Sequence, residues 1–135
     1  MSEPLKIGLL GHGTVGGAFD ELVTDRAAAI EEATGRRAEI SGVLTTSTGD
    51  FDEILAGADV IVELMGGTGA ARDHVLAALN AGKPVITANK QLLAQHGAEL
   101  FEAAERAGVQ LRFEAAIAAV VPVVRVVQEL SLIHI

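Results

Sequence analysis

Cysteine, tryptophan and tyrosine are absent from these 135 residues, and only 3% of them are aromatic. Without thiols there is no disulfide, no thiolate metal site and no cysteine nucleophile, a usage that fits a reducing cytoplasm. Without large rings the core must be assembled from Ala, Val, Ile and Leu, which suit parallel strands buried on both faces. Basic residues are scarce too: ten Lys and Arg face eighteen Asp and Glu, a formal charge of −8. Phosphate neutralisation along a nucleic acid needs clustered cations, so no nucleic-acid partner is expected. A dinucleotide stays open, because backbone amides can hold its phosphates. Long hydrophobic runs are also missing. The opening MSEPLK has no basic segment leading into an apolar one, so no signal peptide is read. The longest apolar run, Ala115 to Val124, is interrupted by Pro122 and is too short for a bilayer. The expectation is a cytoplasmic protein without membrane attachment, of a length for one domain and not two.

What the chain has is glycine, 15 of them, mostly in short clusters between apolar runs. The runs Leu5–Leu10, Ala38–Leu44, Asp59–Leu64, Pro84–Ala88 and Val109–Glu114 have strand length and composition. Helical spacing lies between them. One helix is expected from Val15 through Phe19, Val23 and Ile30 to a stop at Thr34-Gly35, and a short one around Asp52–Ala56. A third covers Ala70–Ala81 with Gly82 closing it, and a fourth Gln91–Ala107, with a break at His96-Gly97 and a close at Gly108. Strand and helix taking turns over short connections predict an α/β fold. The expected form is a Rossmann-like doubly wound parallel sheet with helices on both faces, three layers αβα. Ligands of such sheets bind beyond the carboxyl ends of the strands, where the strand order reverses.

The residues that carry chemistry fall at those ends. Gly11, Gly13 and Gly16 have the G-x-G-x-x-G spacing, directly after the first strand and opening the first helix. The first allows a tight turn, the second lets the backbone approach a pyrophosphate, and the third lets helix and strand pack closely. The amides near Thr14 and Val15 then face the anion along the helix dipole. His12 shares the turn and belongs to the cofactor site by position, with no catalytic role. The second strand ends in Thr45, Thr46, Ser47 and Thr48, not in the acid that would mark NAD or the arginine that would mark NADP. Asp50 is left open as a partner, and Arg36 and Arg37 lie at the other end of that strand. Lys90 follows the fourth strand, where its ammonium would stabilise the negative charge that builds on a carbonyl oxygen during reduction. Asn89 is read as holding the turn through side-chain hydrogen bonds, and Glu63 as an acid marking a strand end.

Four segments, GLLGHGTVGGAF, VELMGGT, AGKPVITANK and RFEAA, closely resemble homoserine dehydrogenase in order and interval, over about Leu5 to Val124. The resemblance implies an oxidoreductase that interconverts L-aspartate 4-semialdehyde and L-homoserine with NAD or NADP, in threonine and methionine biosynthesis. By the same resemblance Gly11 to Val15 hold the pyrophosphate, and Gly66, Gly67 and Thr68 line the cofactor. Lys90 lies near nicotinamide and substrate. Glu114, with the backbone of Ile117, Ala119 and Val121, forms a sodium site. The family's paired glycines there are Ala119 and Val120 in this chain. Family members continue into a substrate and oligomerisation domain. A homo-oligomer is therefore expected of the intact enzyme, and little turnover of this part alone. Two alternatives remain: a dehydrogenase of the glucose–fructose oxidoreductase type, or a dinucleotide-sensing domain without catalysis. The last six residues, Leu130–Ile135, read as the translation of CTGTCTCTTATACACATC, a transposase adapter end used in sequencing libraries. The expected organisation is thus an NAD(P)-binding domain over residues 1–129 and a non-native tail over 130–135.

Overall fold

The hydrophobic pattern resolves into five strands and five helices in a computed structural model that describes residues 3–114. The expectations for Ile117, Ala119, Val121 and the Leu130–Ile135 tail lie outside the described residues. In chain order the elements are β1 (Leu5–Leu10), α1 (Thr14–Asp25), α2 (Ala27–Thr34), β2 (Ala38–Leu44), α3 (Phe51–Gly57) and β3 (Val60–Glu63). They continue with α4 (Gly69–Asn80), β4 (Val85–Thr87), α5 (Lys90–Ala107) and β5 (Leu111–Phe113). The strands form one parallel sheet in the order β2-β1-β3-β4-β5. The fold is the doubly wound, Rossmann-like α/β arrangement.

Alternation along the strands divides the core into two layers. On one face Leu5, Ile7 and Leu9 of β1 lie with Val60, Val62 and Ile86 beneath Phe19 and Val23 of α1 and Ile30 of α2. On the other, Leu10, Ile61, Val85 and Leu111 lie beneath Ile54 of α3, Val75 and Leu79 of α4, and Leu92 and Leu100 of α5. The chain leaves β1 over the first face to reach β2, then returns over the second face to β3. The winding therefore reverses between β1 and β3, and their carboxyl ends flank the crevice.

Two helix expectations change. The stretch from Val15 to Thr34 is not one helix: it turns at Arg26, which has φ −106° and ψ 15°. A straight helix over that stretch would run about 30 Å, longer than the roughly 23 Å of the seven-residue β2. The bend keeps both Phe19 and Ile30 on the sheet. Conversely, α5 passes through His96-Gly97 without a break. A mid-helix glycine costs about 1 kcal/mol, less than the burial of Leu92 and Leu100, both fully covered, returns at roughly 1.5–3 kcal/mol each. The stops at Gly35, Gly82 and Gly108 are as read: all three take left-handed φ. The N–H of Lys83 reaches Ala78 O and that of Val109 reaches Ala104 O, closing α4 and α5. No helix among the described residues is long and apolar enough to cross a membrane.

Candidate functional site

The crevice at the winding reversal is a cleft of about 500 Å³. Its walls are Gly11, His12 and Gly13 after β1, Leu44, Thr45 and Thr46 at the end of β2, and Leu64, Met65 and Gly66 after β3. The three glycines of the first turn have distinct physical duties there. Gly11 has φ +98°, and a Cβ on it would come within 2.9 Å of the Leu64 backbone. A Cβ on Gly16 would stand 2.2 Å from the Gly11 carbonyl oxygen, so only glycine lets α1 start this close to β1. A Cβ on Gly13 would meet nothing within 4 Å, because it would project into open space.

That space lies over the start of α1, whose N-cap Gly13 has no side chain to bond the first-turn amides. No acidic residue occupies that turn, and Thr14 and Val15 are exposed. Uncapped amides at the positive end of a 12-residue helix suit an anion. By contrast, α3 and α5 are capped by the side chains of Asp50 and Asn89. The cradle therefore fits a pyrophosphate, and a side chain at Gly13 would fill it. The His12 ring folds back onto α1, with Nε2 at 2.9 Å from Asp20 Oδ2. It reaches the cleft as one wall of the turn.

Asp50 follows β2 as the N-cap of α3. Its Oδ1 accepts the N–H of Asp52 at 2.9 Å and of Glu53 at 3.3 Å, so the carboxylate is used in capping α3. Thr45 closes its own turn, accepting the N–H of Thr48 at 2.9 Å and sharing a 2.6 Å hydroxyl contact with Thr48. Arg36 sits at the far end of β2, bonded to the Glu3 carbonyl and facing Asp59. The rim of the cleft beside β2 is thus lined by hydroxyls and backbone.

Gly66 and Gly67 follow β3, and Thr68 is the N-cap of α4. Lys90 is the first residue of α5 and exposed. It lies beyond the end of β4 and outside the cleft walls. Asn89 connects the two regions, capping α5 through Leu92 N–H at 3.0 Å and donating to the Gly67 carbonyl at 2.6 Å. Its expected turn-holding role is seen. Glu114, the one expected cation ligand among the described residues, has a half-buried carboxylate 3.8 Å from the Arg112 guanidinium. Sequence reasoning missed the environment of Glu63: this acid is fully buried. The available signal was its place at the end of VIVE, a strand buried throughout.

The family model described as the NAD-binding domain of homoserine dehydrogenase matches residues 11–114. Homoserine dehydrogenase of Neisseria gonorrhoeae is 39% identical, over 94% of this chain and 33% of its own length. That of Corynebacterium glutamicum is 41% identical, over 87% of this chain and 30% of its own. The crystal structure of S. aureus homoserine dehydrogenase at pH 8.5 superimposes with a TM-score of 0.78 at 37% identity. That match covers 85% of this chain and 33% of the other. The chain thus spans about a third of the length of the curated relatives it matches.

Proposed function

This chain belongs to the homoserine dehydrogenase family, in its NAD-binding domain, and from that premise we propose that it is the cofactor-holding part of an enzyme interconverting L-aspartate 4-semialdehyde and L-homoserine. The observation that carries the reading is the uncapped start of α1 beneath a glycine that faces open cleft, at the reversal point of the sheet. The pyrophosphate of NAD or NADP lies on the amides of Gly13 to Val15, with His12 flanking it. Gly66, Gly67 and Thr68 take the next part of the dinucleotide. The bound dinucleotide supplies the reducing equivalent for the aldehyde carbon. Lys90, at the head of α5, offsets charge on the aldehyde oxygen. On this reading, further substrate-binding and proton-transferring groups belong to the remaining length of the family, of which this chain spans about a third.

Both dinucleotides are expected to bind. The cleft wall at the end of β2 brings the hydroxyl residues Thr45 and Thr46, whose side chains can hydrogen-bond a 2′-hydroxyl or a 2′-phosphate alike. Titrating the purified chain with NADH and with NADPH, followed by calorimetry, tests the reading. Saturable binding of either that is lost in Gly13→Leu supports it. A folded chain that binds neither would overturn it.

A further inference from the structure

Glu63 ends β3 with its side chain fully buried, and among the described residues none of its hydrogen-bond partners is a cation. A buried carboxylate is tolerated only when donors saturate it. Oε1 accepts from the Thr87 hydroxyl at 2.6 Å. Oε2 accepts from the N–H of Met65 at 2.8 Å and of Gly66 at 3.3 Å, with Asn89 Nδ2 at 3.5 Å. The Thr87 hydroxyl in turn accepts the Asn89 N–H at 2.9 Å. Asn89 then bonds the Gly67 carbonyl and caps α5. Gly66 and Gly67 are consecutive residues of positive φ, 79° and 72°. They have no side chains of their own to hold that shape, and the bonds to Glu63 and Asn89 hold it for them.

We propose that Glu63 is a positioning residue of the cofactor site: its buried carboxylate ties the Met65–Gly67 loop to the head of α5, so that the loop and Lys90 keep one arrangement. The inference rests on the reading that this loop serves a dinucleotide. It acts through hydrogen-bond geometry, not through charge on the ligand. Glutamine should therefore serve in part: its oxygen still accepts from the loop, while its amide faces the Thr87 hydroxyl, which loses the acceptor for its own proton.

The test measures amide hydrogen exchange at Met65 and Gly66 together with NADH and NADPH affinity, in the full chain. Glu63→Ala is expected to speed exchange at both amides and weaken binding by roughly tenfold. Glu63→Gln should fall between the two, slowing exchange at Met65 and Gly66 again and recovering part of the lost affinity. Val75→Ala, a cavity in α4 chosen to lower the melting temperature comparably, should leave affinity unchanged. Wild-type exchange and affinity in a folded Glu63→Ala chain would overturn the proposal. So would a Glu63→Gln chain as impaired as the alanine variant, or an equal affinity loss in Val75→Ala. Should the alanine variant not fold, Thr87→Val removes only the hydroxyl. Faster exchange at Met65 and Gly66 then supports the tie, and unchanged exchange overturns it. Exchange that responds to Glu63 in a chain binding neither dinucleotide would sink the cofactor reading while supporting the tie.

Discussion

A leucine at Gly13 would send its side chain into the open space above the first turn of α1, whereas an alanine at Gly16 would strike the Gly11 carbonyl. The two glycines share one motif and fail in different ways. Gly13→Leu should lose little stability, since a Cβ there would meet nothing within 4 Å. It should bind NADH roughly a hundredfold more weakly, the loss of about 3 kcal/mol of charge-assisted hydrogen bonding. Gly16→Ala should instead lower stability by about 1–3 kcal/mol, because the backbone must shift to make room. Thermal melts and cofactor titration on both variants separate these outcomes. Lys90→Ala should leave cofactor affinity nearly unchanged. Joined to the remaining length of the family, it should reduce aldehyde about 10²–10³-fold more slowly. A sensing domain would show no such separation. Glycine spacing and the turn-holding Asn89 were legible because each carries its signal in its own neighbours. Glu63 was not, because its donors come from Met65 and Gly66 after β3 and from Thr87 and Asn89 at the end of β4, which only the sheet brings together.

Helix ends illustrate how local chemistry and packing divide the work. Asp50 is both the cap of α3 and the acid nearest the second strand's end, and the capping bonds consume it. Asp50→Ala should destabilise the chain by about 1 kcal/mol, read by denaturant unfolding, without changing the relative affinity for NADH and NADPH. Between α4 and α5, Arg72 meets Glu99 with two parallel bonds of 2.7 Å. The hydrogen bond from Arg72 holds the Glu99 carboxyl below the usual glutamate range, against an opposing effect of burial. A folded value lower than the unfolded one means the pair stabilises fully above that range. Its contribution fades as pH falls through the lowered value. Glu99 is exposed and Arg72 half-buried, so the effect is small and salt-sensitive. Arg72→Ala should flatten that acid limb of stability, measured as melting temperature against pH at low salt. At this scale the helix stops were readable from glycine. The bend at Arg26 was not, since neither proline nor glycine marks it and the spacing from Phe19 to Ile30 stays helical.

One sheet shared by two apolar layers makes the molecule a single cooperative unit. Phe19 and Leu79 are both buried, on opposite faces. Phe19→Ala should cost about 3–5 kcal/mol and Leu79→Ala about 2–5 kcal/mol. Each should shift one common unfolding transition, seen by calorimetry and circular dichroism alike. Two separate transitions would mean that the faces fold independently. The sequence by itself determined the α/β class, the parallel sheet, the glycine turn and the family, because these depend on periodicity and on motifs of adjacent residues. Only the tertiary structure decided that the cleft opens between β1 and β3, and that Glu63 joins the loop after β3 to the end of β4. Those facts depend on strand order and on donors distant in the chain, and a hydrogen bond between them exists only once the sheet has set their separation.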